Sequence, residues 1–377
     1  GCTKTAYDMA MGTSQMLGCL TERLQEVSSD ATLTCFGQEF NPETYAIAKA
    51  DMLIKDGNAS GMKYGDTLSD DAFSGYEFDY VISNPPFGID WKREKTQVEA
   101  EAKLGYDGRF GPGLPAISDG QMLFMLNGVK KLKEGSGRMA IIQNGSSLFT
   151  GDAGSGASEI RRYLIHEDLV EAIVQLPTDL FYNTGISTYI WVLTKGKPMN
   201  RSGRVQLIDA SKCFVKRRKN IGSKRVDLSD DCIDLILQAY EGFDQNEVYT
   251  ADDLVVESKV FENDFFGFTK VTVETAQADE NGKPILKRGK KQPVKGASNS
   301  EIIPLSEDID AYMAKNVLPY NPLAYIDPAK DKIGYEIPFT RLFYKFEAPE
   351  PSASIFEDIK TLEAKETVLM KELFGNA

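Results

Sequence analysis

The segment DYVISNPPFGID, residues 79–90, governs how the chain around it is read. An apolar strand over 78–84 runs into two prolines, each of which removes a backbone donor and fixes φ, so the sheet ladder must stop there. The two rings impose a stiff turn that presents the Asn84 side chain, the Pro85 carbonyl and the Phe87 ring at a strand's C-terminal end. In open α/β sheets that edge is where ligands bind.

On both sides of the turn, short apolar runs alternate with amphipathic segments up to about residue 210, which predicts a mostly parallel sheet covered by helices. Strands are expected at 5–10, 32–39, 62–66, 78–84, 137–144, 169–177, 187–195 and 204–210, and helices at about 15–28, 42–56, 120–133 and 157–166. The Gly-rich, charged segment 91–118 reads as a long loop of functional or disordered character. Beyond 210 the alternation fails. A basic run is followed by a helix near 229–241, short strands around FGFTKVTVET, and a polar Lys/Gly/Pro-rich stretch at 276–300 that reads as a flexible insertion. The end of the chain spaces Ile355, Ile359, Leu362, Val368, Leu369 and Leu373 as one helical stripe, suited to packing on a partner or on its own chain. These shifts divide the chain into 1–210, 211–350 and 351–377.

Composition narrows the chemistry. With 42% hydrophobic and 26% charged residues the chain reads as an ordinary globular protein, expected to be cytoplasmic, with no apolar run long enough for a membrane span. The five cysteines are scattered without C-x-x-C spacing, which argues against a disulfide framework or a zinc site. The single histidine, His166, falls near an expected helix end, where a capping or surface role is expected; His-dependent nucleophilic and metal chemistries are disfavoured. A net charge of −13 opposes nucleic-acid binding by the whole surface, but residues 211–226 carry seven basic and no acidic side chains, and 281–300 carry six and none.

Chemistry then centres on the turn. An exocyclic amine on an aromatic base is a poor nucleophile because its lone pair is delocalised into the ring. The Asn84 side-chain oxygen and the Pro85 carbonyl, accepting its two N–H bonds, would favour a pyramidal nitrogen, while Phe87 stacks on the base and aligns it. A donor of an electrophilic methyl group needs a cradle earlier in the sheet. YDMAMGTSQML, residues 7–17, has a strand, a turn with Gly12 and a helix start; Glu39 ends the next strand and Asp66 follows the third. Acidic residues in such places commonly bind ribose hydroxyls or a purine amine, and often merely cap helices, but three of them in chain order before N-P-P-F favour the ligand-binding reading.

The segments GQEFNPETYAIAKADMLIKDG, FDYVISNPPFG, ISDGQMLFM, GRMAIIQNGSSLFTGDAGSGASEIRRYL, LPTDLFYNTGISTYIWVL and KIGYEIPFTRLFYKFE together make the chain resemble the modification subunits of type I restriction–modification systems, which are N6-adenine DNA methyltransferases. The resemblance implies a class I S-adenosylmethionine-dependent methyltransferase fold, S-adenosylmethionine as cofactor, duplex DNA with the target adenine flipped out as substrate, and a complex with a specificity subunit and a nuclease subunit. By the same resemblance Asp8 and Gly12 match the cofactor loop, Glu39 the ribose acid and Asp66 the cofactor-adenine acid. Asn84, Pro85, Pro86 and Phe87 match the catalytic turn. Phe181 matches a second aromatic at the target-base pocket, with core packing as its alternative. The loop departs from the family pattern at Met9, Met11, Ser14 and Gln15, and the chain is expected to start inside or just before the first strand, without the family's helical domain and Phe-x-Thr-Pro segment. Crowding by Ser14 and Gln15, together with that start, predicts weak cofactor binding by this chain alone. The alternatives are a non-catalytic assembly subunit, or methylation of a protein glutamine or of RNA.

Overall fold

The alternating pattern builds one ten-stranded sheet in the computed structural model, which describes residues 3–346 and 348–375. Its first eight strands are β1 (Thr3–Asp8), β2 (Thr32–Glu39), β3 (Met62–Tyr64), β4 (Tyr80–Ser83), β5 (Arg138–Asn144), β6 (Val170–Gln175), β7 (Thr188–Thr194) and β8 (Arg204–Asp209). A separate hairpin of β9 (Val215–Ile221) and β10 (Lys224–Asp227) precedes β11 (Asn246–Ala251) and β12 (Leu254–Glu262), which rejoin the main sheet. The spatial order is β11-β12-β8-β6-β7-β5-β4-β1-β2-β3. Strands β1 to β5 pair in parallel, whereas β7 is antiparallel to both β5 and β6. The strand order reverses between β1 and β4, which makes the gap between their C-terminal ends the topological switch point where α/β sheets bind ligands.

Local chemistry fixes the covering helices. Helix α1 (Gln15–Val27) follows β1. Helix α2 (Pro42–Ile54) starts where the Asn41 side chain accepts from the Glu43 and Thr44 backbone N–H groups, both at 3.0 Å, with proline at its first position. Next come α3 (Lys95–Ala102), the deeply buried α4 (Gln121–Lys130), α5 (Ser146–Phe149), α6 (Gly156–His166) and α7 (Asp230–Gly242). Ser229 caps α7, and Asp230 and Asp231 in its first turn complement the helix dipole. Under the sheet, Tyr7 stacks on Phe78 with centroids 4.8 Å apart and meets Phe73 edge-on at 5.2 Å. Near the other end, Val174, Ile208, Cys213, Cys232, Leu235 and Val256 share one apolar cluster. Cys213 is a core thiol that burial pushes up to about 12.

A second sheet is centred on β13 (Gly267–Thr275). After the exposed two-residue strands β14 (Leu286–Lys287) and β15 (Lys290–Lys291), it adds β16 (Asn299–Pro304), β17 (Ala324–Ile326) and β18 (Lys332–Tyr335), with α8 (Ile309–Asn316) between β16 and β17. Buried Arg161 of α6 fastens this sheet to the first by donating to the Tyr335 carbonyl at 2.6 Å. Among the described residues, 339–346 and 348–375 form a separate unit with α9 (Phe339–Phe343) and α10 (Ser352–Phe374).

Three expectations change. Segment 91–118 is not a bare loop: it contains α3 and buries Trp91, Val98 and Phe110. Its helix has one buried apolar residue and therefore no stripe to betray it. The 276–300 stretch, expected as a flexible insertion, is mostly exposed and carries the β14–β15 hairpin. Residue 210 is no break in the sheet, because β12 pairs with β8 from Glu257–Asp209 to Glu262–Arg204.

Candidate active site

Two side chains set the switch point. Asp8, the last residue of β1, is buried and accepts from the Ser83 hydroxyl at the end of β4 (2.7 Å) and from the Ala10 N–H (3.0 Å). Burial raises its carboxyl to about 6, against the opposing effect of those two donors. At the other end of β4, Asp79 accepts from Lys133 (2.6 Å), Lys4 (3.1 Å) and the Thr5 N–H (2.9 Å). Burial alone would raise that carboxyl, but these donors outweigh it and hold it well below the carboxylate range. The two strands are thus clamped at both ends.

Above the clamp lies a cleft of about 640 Å³ whose walls include Met9, Ala10, Glu39, Asp66, Asn84 and Pro86. Asn84 is exposed, and its amide forms no hydrogen bond to another described residue. Pro85 is buried beneath it; Phe87 is half-buried on the same turn and does not line the cleft. Glu39 Oε2 accepts from the Gly12 N–H at 2.9 Å and Oε1 from the Asn41 N–H at 2.7 Å, which fixes its carboxylate at the end of β2. Asp66 Oδ1 accepts from Leu68 N–H at 2.8 Å. Glu39, Asp66, Asn84 and Pro86 therefore share one cleft. Asp8 and Gly12 shape its loop from behind.

The loop itself differs from expectation in one respect. Gln15 is exposed and turns its amide to Asp51 (3.4 Å) and the Thr13 carbonyl (3.3 Å), so it adds no bulk to the cleft. Ser14 is buried with left-handed backbone (φ 62°) and an unpartnered hydroxyl. Phe181 packs against the apolar cluster of Val174, Ile208 and Leu235 and does not line the cleft. Its neighbour Tyr182 is the exposed ring.

Several walls were not legible in the sequence: Phe40, Ile89, Trp91, Arg93, Glu94 and Phe124. Trp91 is buried and donates from Nε1 to the Ala116 carbonyl at 3.0 Å, while Gly120 N–H reaches the Ile89 carbonyl at 3.0 Å, stitching both ends of segment 89–120 together. Glu94 faces Asp66; burial, and then that neighbouring carboxyl, raise its own above the ordinary value. Arg109 anchors the same segment, donating to the Thr67 carbonyl (2.7 Å), the Leu68 carbonyl (3.2 Å) and Glu101 (2.7 Å). The one available signal was a tryptophan four residues beyond Phe87, in a chain with two tryptophans.

A model of the N-6 DNA methylase family matches residues 2–281. The chain belongs to that family. Among its N-6 DNA methylase relatives, the type I restriction enzyme MjaIX methylase subunit of Methanocaldococcus jannaschii is 27% identical over 245 residues, which is 64% of this chain and 42% of that protein. This chain thus spans less than half of that relative's length. The structure matches the type I restriction-modification system methyltransferase subunit from Streptococcus thermophilus with a TM-score of 0.57 at 29% identity, over 70% of this chain and 51% of that one. It also matches the type I restriction enzyme EcoKI M protein with a TM-score of 0.52 over 99% of this chain and 69% of that one, a likeness of fold at 18% identity. The sheet is that of class I S-adenosylmethionine-dependent methyltransferases. Among the described residues no helix is long and apolar enough to cross a membrane, and no group of three or more His, Cys, Asp or Glu could hold a metal ion.

Proposed function

We propose that this chain carries the catalytic region of a type I modification subunit, which transfers a methyl group from S-adenosylmethionine to N6 of adenine in duplex DNA. The observation that carries the reading is Asn84 and Pro86 opening into the same switch-point cleft as Glu39 and Asp66. The cleft's volume falls in the range of small-molecule sites, about 300–1,000 Å³. Its lining suits the cofactor: Glu39 would accept from the ribose hydroxyls and Asp66 from the adenine amine, with the Trp91, Ile89 and Phe124 walls for apolar faces. When bound, S-adenosylmethionine supplies an electrophilic methyl group. The protein's own work is to accept the two N–H bonds of a flipped adenine on the Asn84 oxygen and the Pro85 carbonyl, freeing the nitrogen lone pair; Phe87, on the same turn but outside the cleft wall, would stack on the ring only as the base is drawn in past that wall. Specificity and nuclease subunits would complete the assembly, with the site sequence read by the former. Phe181 keeps its place as a target-pocket candidate only if the 179–186 segment rearranges on DNA.

The test is transfer of labelled methyl groups from S-adenosylmethionine to an adenine-containing duplex by the complex with a specificity subunit. Asn84→Ala should reduce turnover at least a hundredfold, since one preorganised donor or acceptor is worth about 2.7–4 kcal/mol of barrier. Near-parental turnover in that variant removes the assignment. Labelling of a protein glutamine or of RNA in place of DNA would redirect it to the alternative substrates.

A further inference from the structure

The basic run at 211–226 is a built element. Its hairpin, β9–β10, is seated by backbone on the segment that follows β6: Ser223 and Arg225 donate their N–H groups to the carbonyls of Tyr182 (2.9 Å) and Asp179 (2.8 Å). Lys224 lies over the Tyr182 ring, 5.2 Å from its centre. Within the hairpin, Asp227 is shared by Arg217 and Lys224. Lys216, Arg218, Lys219 and Arg225 are exposed and make no ion pair with a described residue. Four uncompensated cations on one hairpin stand out in a chain whose net charge is −13.

Topology places this hairpin on the catalytic edge. Ser83 of β4 is in register with Ile141 of β5, and β6 runs parallel to β8 with Gln175 opposite Asp209. Asn144 and Gln175 both pair with the start of β7, at Thr188 and Tyr189. The ends of β4, β5, β6 and β8 therefore lie along one edge, and both the 179–182 segment and the hairpin project from it. Counting strands from β4 to β6 and β8 gives three to four spacings, roughly 14–19 Å. Along one DNA strand, at about 3.4 Å per base, that is about four to six nucleotides from the base in the cleft.

We propose that the β9–β10 hairpin is a duplex-DNA backbone contact, with Lys216, Arg218 and Lys219 meeting phosphates four to six nucleotides from the target adenine. The proposal rests on the DNA-methylase reading above and deepens it. Cations without carboxylate partners are the groups that displace counterions from DNA, and phosphate contacts position a duplex without reading its sequence. The hairpin would fix how the duplex lies across the sheet edge while the cleft receives the flipped base.

The experiment measures binding of the full chain to a fluorescent 30-base-pair duplex across a salt series. The triple variant Lys216→Gln, Arg218→Gln, Lys219→Gln keeps side-chain length and removes three charges. Its slope of log affinity against log salt should be shallower than the parent's by about 2–3, from roughly 0.9 per lost phosphate contact, on matched and unmatched sequences alike. A control, Lys283→Gln, Lys287→Gln, Lys295→Gln, removes the same charge from the β14–β15 region and should keep the parental slope. An unchanged slope in the hairpin variant, or an equal change in the control, overturns the hairpin assignment while leaving the methylase reading intact. No DNA binding by the parent at low salt overturns the hairpin contact, and the methylase reading then stands or falls by the methyl-transfer assay.

Discussion

A left-handed backbone at a residue with a side chain costs about 1–2 kcal/mol, and burying a hydroxyl without a partner adds to that. Ser14 bears both costs at the entry to α1. Ser14→Gly should therefore raise the unfolding free energy by about 1 kcal/mol in denaturant titration, whereas a fall would mean that its hydroxyl has a role in holding the loop. Asp8 makes a second, pH-dependent statement. Its folded carboxyl titrates at about 6, above the ordinary 3.8, so between those values the folded state binds more protons than the unfolded. Stability from this residue is full below about pH 4 and is lost as pH rises through 6, a swing of about 3 kcal/mol. Unfolding curves from pH 4 to 8 should show Asp8→Asn gaining on the parent by up to that amount as pH rises; parallel curves would show that the carboxyl does not titrate there. At the turn, Phe87→Ala should weaken retention of a fluorescent base analogue at the target position by about 1–3 kcal/mol. An unchanged signal would assign the ring to packing alone.

Among the elements, the 91–118 segment has most to lose from one side chain. Arg109 satisfies Glu101 and the Thr67 and Leu68 carbonyls beside Asp66, and its guanidinium is buried. Removing one partner of a buried pair costs about 3–5 kcal/mol; because Glu101 is a quarter exposed, Arg109→Met should cost somewhat less, about 2–4 kcal/mol. Adding Glu101→Met should recover part of this, and the cycle can be read by chemical denaturation. Helix α10 behaves differently. Its residues are all exposed, Ile359, Leu362, Leu369 and Leu373 among them. Deleting 352–377 should leave the denaturation midpoint unchanged and prevent co-purification with a specificity subunit. Full-yield co-purification would move that interface elsewhere.

Across the chain as a whole, the sheet passes through the compositional boundary at 210. β8 is paired on both sides, by β6 and β12, and Ile208 shares an apolar cluster with Leu235 and Val256. A chain ending at 210 would bare that cluster and an open strand edge, and should aggregate on expression. A chain ending at 351 should remain soluble and cooperative in thermal unfolding, and the opposite ranking would restore 210 as a domain limit.

Local signals in the amino-acid order account for much of this architecture. All eight strands expected before residue 210 and the four helices among them follow from apolar periodicity, prolines and caps, and the halt of β4 before Pro85 follows from proline's missing donor. Family membership followed from contiguous motifs such as FDYVISNPPFG. The remaining features arise only in the folded chain, because they join groups far apart in sequence. Asp8 and Ser83 meet across 75 residues. Arg109 reaches the Thr67 carbonyl across 42. Whether Gln15 fills the cleft or turns away, whether Phe181 faces the cleft or the core, and whether a basic run lies on the edge that holds the cleft are set by chain reversal and strand order, which neither composition nor spacing encodes.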